Sequence, residues 1–262
     1  MSETTCLISG NPPHGAPKIG SVGFPFPYTE VRILDCDDAG TVLRELPTGE
    51  VGEICVSNPG VIVGGTYTEP GLNAGLYADG RFLRTGDLGK LDDEGYLWIT
   101  GRRKDVIIRG GHNIDPGVIE EALLAHPQVA FAGAIGQPDS YSGELPCAYV
   151  ELIEGAEVSI EDLHAHVVRA ISDPTAVPKH LEVMETLPKT AVGKIFKPDI
   201  RRMAIRRVFD AALEEAGLPA RLDYVEEVKG RGLVAMIAAN GSTDEDIQSV
   251  LGGFSQPWQR ES

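Results

Sequence analysis

Residues 101–116 read Gly101-Arg102-Arg103-Lys104-Asp105-Val106-Ile107-Ile108-Arg109-Gly110-Gly111-His112-Asn113-Ile114-Asp115-Pro116, and within this stretch the chain changes character. Upstream lie short apolar-alternating runs at 22–26, 31–34, 52–56 and 96–99. Turn clusters such as Asp37-Asp38-Ala39-Gly40 and Asp92-Asp93-Glu94-Gly95 separate them, so residues 1–100 are predicted to be β. Downstream the periods become mixed. Asp115 followed by Pro116 makes an N-cap and first-turn pair, and Ile119, Ala122, Leu123 and His126 follow at helical spacing. Segments 129–135 and 148–152 read as strands. Ser159 with Asp162 opens a second helix, with Leu163, Val167, Ala170 and Ile171 on its inner face. A third helix is predicted over 198–216, stopping at Gly217. A hairpin (222–228 and 233–237, across Lys229-Gly230-Arg231-Gly232) and a short helix after Thr243 complete the chain. The expected class is therefore α+β. A β-rich part (1–100) leads through a charged hinge (101–105) to a small α+β domain (106–200) and a helix-hairpin-helix extension (201–262).

Composition sets the outer limits. The 262 residues suit one or two domains, and 42% apolar with 24% charged residues is ordinary globular usage. The longest uninterrupted apolar run, 233–239, is too short to cross a bilayer. The N-terminal stretch lacks the basic and apolar regions of a signal peptide. Membrane and secreted classes are not expected. The cysteines Cys6, Cys36, Cys55 and Cys147 show no CxxC spacing. His164 and His166 stand two apart on a predicted helix and so point to different faces. Neither a zinc site nor a disulfide framework is supported, and a reducing cytoplasm fits.

The net charge of −16 argues against a nucleic-acid partner, whose phosphates such a chain would repel. Its distribution says more. Arg102, Arg103, Lys104 and Arg109 form one basic window. Lys189, Lys194, Lys197, Arg201, Arg202, Arg206 and Arg207 form another. Together they hold eleven of the 23 basic residues, with only Asp105 and Asp199 among them. Two readings stand side by side: local binding of a small polyanion, or two solvated helix faces.

Three segments then belong together: Arg84-Thr85-Gly86-Asp87, the 101–120 stretch ending in Ile119-Glu120, and Leu187-Pro188-Lys189-Thr190-Ala191-Val192-Gly193-Lys194. In this order and spacing they resemble the adenylate-forming, AMP-binding enzyme superfamily, in particular the acyl-CoA synthetases. The opening Met1-Ser2-Glu3-Thr4-Thr5 resembles the end of a nucleotide-binding segment of that family, and Gly52-Glu53-Ile54 its Gly-Glu-Leu strand. The resemblance covers residues 1 to about 200. It implies a distorted barrel for the β-rich part, a mobile lid for the small domain, and ATP, Mg²⁺ and CoA as cofactors and substrates.

Residue by residue, the resemblance implies Lys194 as the cation placed where a carboxylate meets the α-phosphate. It implies Asp87 and Arg102 on the ribose or phosphate, Ser2 and Glu3 near the nucleotide, and Glu3 as a weak Mg²⁺ ligand. Lys104 takes the hinge position, and Gly110-Gly111 the loop along which pantetheine passes. Each has a plainer reading: a turn aspartate, a surface ion pair, turn glycines or a surface lysine. The implied partners are ATP or AMP, a carboxylic acid and CoA, with self-association left open. An upstream domain with a phosphate loop and acyl pocket is not in the sequence. The chain is therefore expected to be the C-terminal part of such a synthetase, incomplete alone. The alternative is a truncated, non-catalytic module that binds nucleotide, CoA or a protein.

Two look-alikes are set aside. Gly230-Arg231-Gly232-Leu233-Val234-Ala235 fits a dinucleotide-binding turn but lacks a following helix. The 189–194 loop lacks the leading Gly and trailing Ser/Thr of a phosphate-binding loop.

Overall fold

A computed structural model describes every residue except Cys6, Gly15, Ala16, Asp38, Lys229, Gly230 and Ser262, and the side chain of Leu72 is left undescribed. Cys6, the Asp38 turn position and the Lys229-Gly230 turn therefore lie outside the described residues. The chain divides into two units, Met1–Lys104 and Asp105–Ser262.

In the first unit β1 (Ser9–Gly10) pairs with β2 (Phe24–Pro25). A larger sheet contains β3 (Glu30–Cys36), β4 (Val42–Glu45), β5 (Gly52–Ser57), β6 (Tyr77–Ala78), β7 (Phe82–Leu91) and β8 (Leu97–Arg102). Its order is β4-β3-β5-β7, and β6 and β8 share the outer edge of β7, pairing with its start and its end. This sheet is open: among the described residues β4 pairs only with β3, so no barrel closes, correcting the barrel that the resemblance implied. Two small cores cover its faces. Leu34, Cys36, Cys55, Ala78 and Phe82 form one, and Ile33, Ile54, Val56 and Leu97 the other. Cys55 and Ile54 alternate between them, as the two-residue period of a strand dictates.

The second unit opens with a hairpin, β9 (Ile107–Arg109) and β10 (His112–Ile114), followed by α1 (Pro116–Leu124). The Asp115 side chain accepts from the Gly117 amide and caps α1, and Ile119, Ala122 and Leu123 are buried as their spacing requires. His126 falls just beyond the helix, its ring edge-on to His166 with centroids 5.1 Å apart. Then come β11 (Val129–Asp139), β12 (Gly143–Leu152), α2 (Ile160–Ala170) and β13 (His180–Met184). β13 runs parallel to β12 on the edge opposite β11. Ser159 caps α2, and Leu163 and Val167 are buried, but Ala170 is exposed because Ile171 already turns into extended backbone.

Strands β11 and β12 are covered on both faces, which explains why they read as nearly continuous apolar runs. Ala132, Ala134, Ala148 and Val150 pack with α1 and α2; Ile135, Cys147 and Tyr149 pack with α3 (Lys197–Glu215). The far half of α3 carries Ile205, Phe209 and Leu213 into another core. There it meets β14 (Arg221–Val228), β15 (Gly232–Ala238), α4 (Asp244–Leu251) and β16 (Trp258–Arg260). β16 runs parallel to β15, in the order β14-β15-β16. The division expected at 200/201 thus falls inside a helix that serves two cores. Because Gly232–Ala238 is a strand, the dinucleotide look-alike has no helix to open. The thiols of Cys36, Cys55 and Cys147 are free and buried; burial holds that of Cys147 up at about 11. No described helix is long and apolar enough to cross a membrane.

Candidate functional site

Asp87 is placed by an interruption in the sheet. Glu53 faces Leu88 and Cys55 faces Arg84, so Thr85, Gly86 and Asp87 stand opposite Ile54 alone. Gly86 takes a φ of 71°, which side chains disfavour, and β7 bulges there. The Thr85 hydroxyl closes the bulge, donating to the Ile54 carbonyl at 2.8 Å and accepting from the Asp87 amide at 3.0 Å. Across the next pairing, β8 sets Arg102 opposite Asp87, with the guanidinium Nε 2.6 Å from Oδ1. The pair is open to solvent on one side, with 55% of the Arg102 side chain exposed, so it adds little stability of its own.

Arg103 goes elsewhere. Its Nη1 donates to Glu53 Oε2 at 2.9 Å, and the same oxygen accepts from Arg84 Nε and Nη2 at 3.0 and 2.9 Å. Glu53 is 5% exposed, and Arg84 also holds the Gly75 carbonyl. Successive arginines leaving β8 are therefore held by two different carboxylates of one sheet.

Glu3 sits in a short 3₁₀ turn, Ser2–Thr4, pinned by the fully buried Thr4. Its own backbone amide and the Tyr67 hydroxyl, 2.9 Å from Oε1, hold its carboxyl below the usual range, with a further contribution from the charge of Arg102. Ser2 is exposed beside Glu3. Lys104 is the last residue of that unit and is exposed.

In the second unit Gly110 and Gly111 form the two-residue turn between β9 and β10, with φ of 55° and 86°. This is the hairpin turn that needs positive φ at both positions. A Cβ at either would meet nothing within 4 Å, so the demand is conformational and not one of space. Three strand residues and the Asp115 cap separate the turn from α1. Gly111→Ala is expected to cost about 1 kcal/mol by urea unfolding, the penalty of a left-handed side-chain-bearing residue.

Lys194 lies on a hairpin loop of its own, with Lys189 paired to Ile195, and is exposed. Of the eleven clustered basic side chains, nine are spent on the chain itself. Arg109 donates to the Thr175 carbonyl, Lys197 pairs with Glu120, Arg201 with Asp105, and Arg202 with Asp199. Arg206 holds the Leu222 carbonyl, Arg207 reaches Gln137, Lys189 pairs with Glu151, and Arg102 and Arg103 are bound as above. Of these eleven, only the Lys104 and Lys194 ammonium groups have no such partner among the described residues. The first window lies on strand and turn and not on a helix face. Also among the described residues, no group of three or more His, Cys, Asp or Glu side chains is placed to hold a metal ion.

The sequence reading missed Glu53 and Glu151 as organising groups. Glu53 had a signal in its Gly-Glu strand; Glu151, an isolated acid near a strand end, had none.

The sequence matches two family models: AMP-binding enzyme, over residues 1–64, and AMP-binding enzyme C-terminal domain, over residues 118–194. It is 39% identical to the marinolic acid–CoA ligase of Pseudoalteromonas sp. (strain SANK 73390) over 258 residues, 98% of this chain and 39% of that protein. It is 40% identical to a long-chain-fatty-acid–CoA ligase of Bacillus subtilis over 197 residues, 75% of this chain and 34% of that protein. The first match takes in the extension. In fold it is similar to ATP-bound MatB from Rhodopseudomonas palustris, with a TM-score of 0.69 and 32% identity, covering 77% of this chain and 39% of that one. The chain thus spans about two fifths of the length of the relatives it matches. With both family segments, the Thr-Gly-Asp bulge and the Gly-Lys hairpin, it belongs to the adenylate-forming, AMP-binding family of acyl-CoA synthetases.

Proposed function

We propose that this chain is the C-terminal part of an ATP-dependent acyl-CoA synthetase that activates a fatty or aryl carboxylic acid and transfers it to CoA. The state of the cations carries the reading. In an acidic chain that spends nearly all its clustered positive charge internally, the Lys194 ammonium is exposed and uncommitted on an ordered hairpin.

In the reaction, a carboxylate oxygen attacks the α-phosphorus of ATP and pyrophosphate leaves. The CoA sulfur then attacks the acyl carbon, losing its proton, and AMP leaves with the electrons of the broken C–O bond. Both partners of the first step are anionic, so a positioned cation lowers its barrier, and Lys194 is the residue for it. Asp87 accepts hydrogen bonds from the ribose hydroxyls, and Arg102 offers a planar fork to ribose or phosphate oxygens. Residues 101–105, with Lys104, serve as the hinge, and Gly110-Gly111 as the close-approach turn for pantetheine. Glu3 offers Mg²⁺ one carboxylate, with ATP and water supplying the remaining oxygens, a set this ion accepts. A cytoplasmic setting suits these substrates and the free thiols.

Asp87→Ala is expected to weaken AMP binding by about tenfold or more, the worth of a hydrogen bond to a charged group. Titration calorimetry on the 262-residue chain checks it, and an unchanged Kd would remove Asp87 from the ribose.

A further inference from the structure

The hairpin that carries Lys194 has a fixed base. Thr190 donates from its amide to the Lys194 carbonyl at 2.7 Å, Gly193 donates to the Thr190 carbonyl at 2.9 Å, and Phe196 to the Pro188 carbonyl at 2.8 Å. These bonds close the loop on itself but do not tie it to the sheet. Glu151, near the end of β12, does that. Its Oε2 accepts from the Leu187 amide at 2.8 Å, and its two oxygens lie 2.9 and 2.8 Å from Lys189 Nζ. Phe131 is the cross-strand partner of Glu151, and the Lys189 ammonium stands 3.7 Å from the centre of its ring. Leu187 itself is 1% exposed in the core beneath α3.

We propose that Glu151 is a positioning residue for Lys194: acting through Lys189, it anchors the base of the loop to β12 and fixes where the Lys194 ammonium can reach. A cation on a four-carbon stem gains from this, because a mobile base would add the loop's own freedom to that of the side chain. Lys189 accordingly holds the Glu151 carboxyl below its ordinary range, helped by the Leu187 amide. The value of a fixed Lys194 rests on the synthetase reading above; the anchoring itself does not.

The test is native-state trypsin cleavage of the 262-residue chain, followed by mass spectrometry at the Lys194–Ile195 bond, with thermal unfolding measured in parallel. Opening of a local segment is what such cleavage reports. Glu151→Gln is expected to speed cleavage there about tenfold, in line with loss of a charged hydrogen bond, and to leave cleavage after Arg44 unchanged. Lys189→Met is expected to do the same, and the double variant to be no faster than either single, since both remove one interaction. Lys189→Arg, which keeps the ion pair, should stay within about twofold of wild type. Multiplying effects, an unchanged rate in Glu151→Gln, or faster cleavage everywhere with a lower melting temperature would each overturn the proposal. Lys194→Ala tested for pyrophosphate release stands apart: its failure would remove the synthetase role and leave the anchoring intact.

Discussion

Lys194→Ala is expected to lower the rate of acyl-adenylate formation by about 10²–10³-fold, the loss seen when one preorganised donor to developing charge is removed. The physical case is one of sign. A carboxylate and a triphosphate repel, and the repulsion is largest as the attacking oxygen closes on the α-phosphorus. A lysine held on a hairpin whose own hydrogen bonds are complete meets that charge without reorganising the loop. Because the Lys194 side chain is exposed and contacts no described acceptor, its removal should leave thermal unfolding unchanged, separating chemistry from folding. Lys194→Arg keeps the charge but spreads it over a planar fork, and is expected to restore only part of the rate. The measurement is pyrophosphate release with ATP, Mg²⁺, CoA and short, long and aromatic acids, by the 262-residue chain and by any longer chain that contains it. Release by the short chain that vanishes in Lys194→Ala would mean that a working site assembles within these residues. Release only from a longer chain would assign the phosphate loop and the acyl pocket to the added residues. Release unaffected by the substitution would reject the assignment of Lys194.

What could be read in the residues differs by the range of the interaction. Three helix starts were legible because each is set by a neighbour a few residues away: Asp115 on Gly117, Ser159 on Asp162, and Thr243 in a reciprocal capping box with Asp246. The hairpin of β14 and β15 and the two-faced burial of β11 and β12 follow from period and composition in the same way. The longest strand of the first unit, β7, was missed. Its Thr-Gly-Asp-Leu-Gly centre breaks the alternation that marks a strand, and that break is what places Asp87. Strands β13 and β16 are short and parallel to their partners, and nothing local announces them. The ion pairs were illegible for a plainer reason. Arg103 finds Glu53 from 50 residues away and Lys189 finds Glu151 from 38, so the basic windows looked unpaired although most of their side chains have partners. The three family segments were legible nonetheless, because each is a local turn: a bulge, a hairpin turn and a hairpin loop.

Glu53→Ala is expected to destabilise the first unit by about 3–5 kcal/mol, the cost of leaving a buried charge without its partner. Three N–H groups, two from Arg84 and one from Arg103, converge on one oxygen of Glu53. The side chains of Arg84 and Glu53 are only 9% and 5% exposed, so water cannot easily take the place of the carboxylate. Arg103, at 34%, can turn outward, and the penalty therefore falls mainly on Arg84. Replacing both buried partners, as Glu53→Leu with Arg84→Met, removes the orphaned charge along with the pair. That double variant should be closer to wild type than Glu53→Ala, although each change alone removes the same ion pair. Urea unfolding followed through Trp98 in β8 reads the first unit, once the other tryptophan, Trp258, is replaced by phenylalanine. A cost below about 1 kcal/mol would place the cluster with exposed pairs and reject the argument. Glu53→Gln separates the two components that remain: it keeps an acceptor for the guanidinium groups but not the charge. It should fall between wild type and Glu53→Ala if the electrostatic part dominates. If it matches wild type, the hydrogen-bond geometry alone holds Arg103, and with it the exit of β8 beside the Asp87–Arg102 pair.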